Sequence, residues 1–248
     1  MVIDSSFDEV VSGLTAEIQQ KLIAKNQIER LRDCCDMQAV LMATGPSLVA
    51  AADYKSTEAK YARLVSHAEG LWSDACRLYL SRRFASALAL SITCLEEVGK
   101  ISVARVELAL SQHPGVLGNF QSEPNNTSAP RKRNPFYSHT QKLLLAVGAG
   151  ALVNSRLDRL LGIETVISFL NDVEAGKIEP LRQACLYSDA KAGELILPYE
   201  QIGDAQARLY VVIAGEVLAD VAGADATEWR RILNRVQEFE KQIGQPFE

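Results

Sequence analysis

A basic segment and a histidine lie together just past the middle of the chain. Residues 131–134 read Arg-Lys-Arg-Asn, and His139 and Lys142 follow at the start of an apolar helical stretch. An arginine stabilises negative charge on a phosphoryl group, and a histidine exchanges protons near neutral pH. A helix N-terminus adds unpaired amide groups that favour an anion. The segment therefore predicts a phosphate site in which Arg133 stabilises charge and His139 acts as a base.

A second group of charged residues interrupts an apolar helical segment. Glu96 and Glu97 are adjacent, so their side chains point about 100° apart and at least one lies near the border of the buried face. Lys100 follows Glu96 by four residues, the favourable order for a helical ion pair. The pattern permits two interpretations. It is either a solvated Glu96–Lys100 pair, or a polar pocket that Glu97 or Lys100 reaches while Gly99 admits a neighbour.

A third group lies further along the chain, at the end of a short predicted helix. It contains Arg182, Tyr187 and Asp189. The ordinary interpretation is that the tyrosine ring packs and its hydroxyl forms a hydrogen bond that holds a loop in place. The alternative is that these polar side chains contribute to the same site as the first two groups.

Several common catalytic motifs are absent from the sequence. It has no GxxxxGK[ST] phosphate loop, no GxSxG nucleophile elbow and no HExxH zinc motif. None of the three histidines has a glutamate three positions earlier, as a di-iron helical bundle requires. The five cysteines lack the spacing of a zinc site. We therefore predict neither a metal nor a cofactor.

The composition sets the class of protein. Of the 248 residues 48% are hydrophobic, which is typical of an ordered globular protein. The longest strictly apolar or glycine run, Leu143–Val153, has 11 residues, against the roughly 18 that a membrane span needs. With 26 Lys+Arg against 31 Asp+Glu, the net charge of −5 excludes a broad nucleic-acid surface but permits a local one. We expect a cytoplasmic protein without a membrane partner.

Nearly every segment has the apolar spacing of a helix, and none alternates as a strand does. One long helix is predicted from Ser6 into the 30s or early 40s, ahead of Gly45-Pro46. A short break at 81–83 and loops over 113–135 and 188–197 separate later elements. The later helices are predicted at about 57–80, 83–112, 136–161, 163–174, 179–187, 198–222 and 225–243. The sequence therefore predicts an all-α helical bundle over 56–248, with an N-terminal helical extension over 1–55.

The three charged groups occur in an order that resembles the AbiV family of bacterial abortive-infection proteins, a family of the HEPN superfamily. Residues 83–100 are similar to its A..LA..S.EE.GK helix, residues 139–142 to its His-x-x-Lys motif, and residues 182–189 to its R..LY.D element. The resemblance covers about residues 70–220. It implies a HEPN-like helical bundle and a role in anti-phage defence.

The resemblance also assigns roles to residues. Many HEPN proteins are metal-independent ribonucleases with an Arg-x4–6-His signature at the start of a helix, and Arg133-Asn134-x4-His139 is similar to it. It implies that Arg133 and His139 are the catalytic pair, that Asn134 supports them, and that Glu96 or Glu97 orients the arginine. Further supporting residues are Lys100, Lys142, Tyr187 and Asp189.

Ribonuclease chemistry without a metal needs both a base and an acid. Each chain supplies one suitable histidine, so we predict a homodimer in which two His139 side chains share one cleft on RNA and leave 2′,3′-cyclic phosphate ends. HEPN nucleases resemble this arrangement. Two alternatives stay open. One is a non-catalytic dimeric module that binds a phage or antitoxin protein, and the other is a nucleotide-binding regulator with Lys100, Arg133 and Lys142 as phosphate ligands.

Overall fold

The computed structural model describes residues 7–29, 31–32, 35, 52–112, 138–153, 157–191, 194–221 and 226–244, and this part of the chain is almost entirely helical. The helices are α1 (Phe7–Gly13), α2 (Ala16–Ala24), α3 (Ala52–Leu80), α4 (Phe84–Gln112), α5 (His139–Val153), α6 (Leu157–Leu161), α7 (Ile163–Glu174), α8 (Ile178–Leu186), α9 (Pro198–Gln201), α10 (Asp204–Val221) and α11 (Ala226–Gln242). The strands β1 (Asp189–Lys191) and β2 (Glu194–Ile196) form one antiparallel pair. The predicted all-α class is confirmed.

Helix α4 occupies the centre of the bundle. It packs against α3, α5, α8 and α10, and buried side chains surround it on every side because its sequence is apolar beyond a single stripe. Ala85, Leu88, Ile92 and Leu95, which follow one another at steps of three or four residues, are all buried. The segment 96–100, with its charged side chains, therefore lies in the interior of the bundle, on a helix that packing holds in place.

Helices α3 and α10 pack against each other through apolar side chains. Trp72 of α3 is 2% exposed, and its indole nitrogen donates a hydrogen bond over 3.0 Å to the carbonyl of Val211 in α10. A Cβ atom added to Gly215 would lie 2.7 Å from the same nitrogen. The absence of a side chain at Gly215 thus lets the two helices approach each other around the indole ring.

The predicted break between α3 and α4 is confirmed, and its backbone explains it. Arg82 adopts a positive φ of 59°, and the amides of Arg82 and Arg83 donate hydrogen bonds of 2.8 Å to the carbonyls of Tyr79 and Leu78. These bonds satisfy carbonyls at the end of α3. The reversal makes α3 and α4 neighbours in the bundle.

The prediction of one continuous N-terminal helix is wrong. Thr15 interrupts it, since its hydroxyl accepts a hydrogen bond of 3.3 Å from the amide of Ile18 and caps α2. Gln19 binds the carbonyls of Val11 and Leu14 across the break, over 2.7 and 3.0 Å. A second interruption falls at Asn26, which has a φ of 54°. The signal that was missed is the local side-chain hydrogen bonding of threonine and glutamine.

Two further boundaries differ from the prediction. The helix expected from 136 begins at His139, since Ser138 is not helical, and the expected loop over 188–197 contains the β1–β2 pair. These strands have three residues each, and the described side chains of β2 are mostly exposed, so they have no apolar alternation to predict them. Residues 154–156, between α5 and α6, lie outside the described residues. The predicted 113–135 loop and the Ser6 and Asp225 caps lie outside the described residues.

The N-terminal helices pack on the bundle. Helix α2 contacts α7, and Leu22 and Leu31 are fully buried. The predicted division of the chain into 1–55 and 56–248 stays a prediction. Within the described ranges, none of the helices is both long enough and apolar enough to cross a membrane.

Candidate functional site

The close approach of α4 and α5 brings two of the predicted charged groups together. A Cβ atom added to Gly99 would lie 2.3 Å from the backbone oxygen of Lys142, so the absence of a side chain at Gly99 is what permits this approach. Ser138 caps α5, because its hydroxyl accepts a hydrogen bond of 3.3 Å from the amide of Gln141. His139 is the first residue of that helix. It therefore lies against the charged segment of α4.

Glu96 and His139 form a close pair at this junction. The Nδ1 atom of His139 lies 2.9 Å from the Oε1 atom of Glu96, and the two side chains are 52% and 8% exposed. A carboxylate that accepts a hydrogen bond from Nδ1–H holds the proton on that nitrogen and leaves Nε2 to accept a proton from a substrate. The half-exposed ring can thus be reached from solvent while a buried carboxylate orients it.

Glu97 contacts a different partner on α4. Its Oε1 atom accepts a hydrogen bond of 2.6 Å from Lys100, and the two side chains are 16% and 25% exposed. The predicted Glu96–Lys100 ion pair is therefore wrong, since Glu96 faces α5 and contacts His139. The pair that does form is half-buried, so the second interpretation of this segment, a polar pocket, agrees better with the structure than a solvated pair.

Lys142 reaches the same cluster from α5. It follows His139 by three residues, which places both on one face of the helix, and only 5% of it is exposed. Burial lowers the pKa of Lys142, the Glu96 carboxylate opposes this shift, and the charges of Lys100 and Arg182 add to it. A buried ammonium group among other cations is costly unless an anion binds it.

Helix α8 contributes a carboxylate that the sequence analysis missed. One oxygen of Glu179, one of Glu96 and a ring nitrogen of His139 all lie within 4.8 Å of one another. Glu179 is held by Arg182, whose Nε and Nη2 atoms donate hydrogen bonds of 2.9 and 3.0 Å to it, and by Gln183 over 2.6 Å. The Glu179–Arg182 spacing of three residues was the available signal.

The contacts of Glu179 keep it ionised. Partial burial by itself raises the pKa of Glu179, but the hydrogen bonds from Gln183 and Arg182 and the charges of Arg182 and His139 outweigh burial and lower it. The described cluster therefore contains three carboxylates and three basic side chains around one histidine. These are Glu96, Glu97 and Glu179, and Lys100, Lys142 and Arg182.

Comparison with known families agrees with this arrangement. The family model HEPN_AbiV, described as AbiV, matches residues 57–219, which is well over half of the chain. The chain belongs to the AbiV family. No curated protein and no solved structure matches it. The matched region holds every residue of the charged cluster, so the cluster lies within the AbiV homology and not in an added segment.

The other residues predicted for the AbiV site have different outcomes. Tyr187 and Asp189 lie beyond the C-terminal end of α8, where Tyr187 is 63% exposed and the Asp189 carboxylate accepts a hydrogen bond of 2.8 Å from the amide of Ala190. Among the described residues, neither Tyr187 nor Asp189 contacts the charged cluster, so no contact supports their predicted role in the site. Arg133 and Asn134 lie outside the described residues. The predicted orientation of Arg133 by Glu96 or Glu97 therefore stays a prediction.

The donor set of this AbiV chain suits a metal ion poorly. Glu96, His139 and Glu179 bring their ligand atoms within 4.8 Å of one another, which a divalent cation could bridge. Both oxygens of Glu179 already accept hydrogen bonds from Arg182, and one also accepts from Gln183. A cation would compete with these donors for Glu179 and would be repelled by Arg182 and Lys142. We therefore derive no chemistry from a metal.

A separate cavity of about 330 Å³ lies between α7, α10 and the residue that follows α2. Lys25, Glu164 and Asp172 line it, but it contains no histidine and none of the predicted site residues. The residues that can exchange a proton and bind phosphate lie instead at the junction of α4, α5 and α8. That junction is the candidate site of the AbiV chain.

Proposed function

We propose that this AbiV protein is a metal-independent endoribonuclease that acts as a homodimer in abortive infection. The observation that supports the proposal most is the 2.9 Å contact between Nδ1 of His139 and the buried Glu96 carboxylate. This contact orients an exposed imidazole as a general base, and the family supplies the biological context. Arg133, by its position in the family signature, is proposed to stabilise the phosphate charge.

The proposed reaction is an internal transesterification of RNA. Nε2 of His139 takes the proton of a 2′-OH group, and the resulting oxygen attacks the adjacent phosphorus. The bond from phosphorus to the 5′-oxygen breaks, and an acid gives that oxygen a proton. The products are a 2′,3′-cyclic phosphate end and a 5′-hydroxyl end. DNA has no 2′-OH and is not a substrate.

The homodimer supplies the acid in this proposal. A two-fold axis beside the site pairs His139 with the partner subunit's His139, so that one imidazole is the base while the other, protonated, is the acid. Mixing wild-type and His139→Ala chains tests the composite site. Heterodimers should lose most of their activity, and heterodimers with full activity would overturn it.

The central test measures cleavage by purified protein in excess EDTA. Wild type should cut RNA to 2′,3′-cyclic phosphate ends, should not cut DNA of the same sequence, and should not need a divalent ion. Arg133→Ala and His139→Ala should each reduce the rate by about 10²–10⁴-fold. Lys177→Ala is the matched control, since this exposed lysine pairs with Asp172 outside the site.

The same variants separate catalysis from an interaction module in cells. The double variant Arg133→Ala, His139→Ala should no longer arrest the growth of infected or overexpressing cells, provided that its folding and expression match wild type. A double variant that still causes arrest would overturn the ribonuclease proposal. The function would then be that of a module that binds a phage or antitoxin protein.

A further inference from the structure

The Lys142 ammonium group is the least compensated charge of the site. Lys142 is 5% exposed, and its ammonium has no hydrogen bond or ion pair to the described residues. The neighbouring cations are already engaged, Lys100 by Glu97 over 2.6 Å and Arg182 by Glu179 over 2.9 Å. Lysine is rarely buried without a partner. A lysine side chain that is buried without a direct partner, one helical turn from the half-exposed His139, points to an anionic ligand.

The carboxylates near Lys142 are already paired with other groups, which favours a bound anion as the partner of Lys142. Each described carboxylate of the cluster contacts another group, Glu96 the imidazole of His139 and Glu97 the amine of Lys100. The hydrogen bonds of Arg182 to Glu179 use its Nε and Nη2 atoms, so they do not use Nη1. Arg182 is near enough for its charge to lower the pKa of Lys142, so the two cations act on the same region.

The end of α5 adds to this field. The first amide groups of a helix have no acceptor within the helix, and the helix dipole places partial positive charge there. Helix α5 has 15 residues and begins at His139, within one turn of Lys142. The helix end and the buried ammonium are independent features of one junction, and both favour negative charge.

We propose that Lys142, Arg182 and the N-terminus of α5 form a subsite for a phosphate group. The inference rests on the proposed function in taking this phosphate to be part of an RNA chain, and it assigns to Lys142 the binding of that group beside His139. Phosphate would receive hydrogen bonds from the ammonium and from the guanidinium while His139 remains free to accept a proton.

Titration with inorganic phosphate tests the subsite without any RNA. Phosphate should raise the thermal midpoint of wild type in a saturable manner, because a ligand that binds only the folded state stabilises it. Lys142→Met should weaken phosphate binding by about tenfold or more. Lys177→Met removes an exposed lysine on another surface and should bind phosphate as wild type does. Equal binding by both variants would overturn the subsite.

Nuclear magnetic resonance of lysine side chains provides a readout that does not depend on the variant's folding. The Lys142 ammonium resonance, assigned by its loss in Lys142→Met or by contacts to α4, should shift saturably with phosphate, while that of Lys177 should not. A Lys142 resonance that does not shift with phosphate at tens of millimolar concentration would contradict the proposal even if Lys142→Met does not fold. An equal drift of all lysine resonances would indicate an adventitious ion only, and it would also contradict the proposal.

Two ligands distinguish the sources of the phosphate. Inorganic phosphate represents a terminal or free phosphate, and the deoxydinucleotide dTpdT represents a phosphodiester that cannot react. Binding of either one that depends on Lys142 supports the subsite, and binding of neither overturns it. A chain that binds phosphate through Lys142 but cleaves no RNA keeps the subsite and loses the proposed function. A chain that cleaves RNA but binds phosphate independently of Lys142 keeps the proposed function and loses the subsite.

Discussion

Nδ1 of His139 lies 2.9 Å from Oε1 of Glu96, and the two residues come from helices that are separated by the whole 113–137 segment. A buried carboxylate and a half-exposed imidazole at this distance form an oriented base. The bundle core fixes the carboxylate, because Glu96 lies on α4 between the buried residues Leu95 and Val98. The geometry is thus a consequence of the packing of α4 against α5.

Replacement of the orienting carboxylate tests this relationship directly. Glu96→Gln keeps the shape of the side chain but removes its charge, so we expect RNA cleavage to fall by about 10²-fold or more, with little change in substrate affinity. The nitrogen resonances of His139 should show that Nδ1 no longer holds its proton preferentially. Asp74→Asn, which changes an exposed carboxylate of α3, should leave both quantities unchanged. An unaltered rate in Glu96→Gln would contradict the role of the pair.

The contact between Gly99 and Lys142 makes a prediction about packing. In Gly99→Ala the new methyl group would lie 2.3 Å from the Lys142 carbonyl oxygen, so α4 and α5 must separate. We expect the free energy of unfolding to fall by about 1–3 kcal/mol and the cleavage rate to fall with it. Thermal and urea unfolding measure the first quantity.

Gly70 provides the matched control for this substitution. It also lies within a long helix, but a Cβ atom added there meets no atom within 4 Å. Gly70→Ala should therefore stabilise the protein by up to about 1 kcal/mol, through helix propensity alone. If both substitutions had the same effect, the close approach of α4 and α5 would not be a constraint on stability.

Much of the fold follows from sequence spacing, because burial in helices repeats every three or four residues. On α3, Val65, Trp72 and Tyr79 lie seven residues apart, and all three are buried. The break before α4 was equally visible in the sequence. Short strands and local caps were not, since exposed hairpins and single side-chain hydrogen bonds leave no periodic signal.

The site was predictable by residue type and only partly by contact. The sequence indicated Glu96 and His139, but the family resemblance assigned Glu96 or Glu97 to Arg133. The sequence did not predict that Glu96 meets His139, since adjacent glutamates point about 100° apart and their spacing does not tell which one faces α5. It missed Glu179 because a glutamate three residues before an arginine looks the same on any exposed helix. The burial of Lys142 depends on the close approach of α4 and α5 at Gly99. The sequence offered a close neighbour at Gly99 as one of two interpretations but did not say which segment that neighbour is.

Because Lys142 is buried without a partner, we expect it to lower the stability of the folded protein. Lys142→Met should raise the free energy of unfolding in phosphate-free buffer by roughly 1–3 kcal/mol, because a charge is no longer buried. The sign with pH follows from the lowered pKa of Lys142 in the folded chain, against an ordinary value of 10.5. Between the two pKa values the unfolded chain binds more protons, so wild-type stability gains with rising pH.

The advantage of Lys142→Met over wild type should therefore be greatest near neutral pH and should shrink towards pH 10.5. Burial is the largest cause of the lowered pKa of Lys142. Among the neighbouring charges, Glu96 and Glu97 raise this pKa, and Lys100 and Arg182 lower it. Urea unfolding at several pH values measures the effect. A loss of stability in Lys142→Met at neutral pH would indicate that the ammonium is compensated within the protein.

Glu69 joins α3 to α11 and predicts an acid-sensitive contribution to stability. Its oxygens accept hydrogen bonds of 2.6 Å from both terminal nitrogens of Arg231, and Arg235 also contacts it. Hydrogen bonding from Arg231 is the largest cause that lowers the pKa of Glu69 below its ordinary value of 4.5, and burial opposes it. A lowered pKa means that the carboxylate stabilises the fold above about pH 4.5 and stops doing so as pH falls through its folded value.

Glu69→Gln should consequently reduce the free energy of unfolding by about 1–3 kcal/mol at neutral pH, because two guanidinium groups lose the negative charge that they share. The difference from wild type should disappear as the pH falls below the folded pKa of Glu69, where the wild-type carboxyl is also neutral. Glu17→Gln removes an exposed pair with Lys21 and should change stability by less than about 1 kcal/mol at any pH. A deficit of Glu69→Gln that persists unchanged in acid would show that side-chain packing, not the charge, joins α3 to α11.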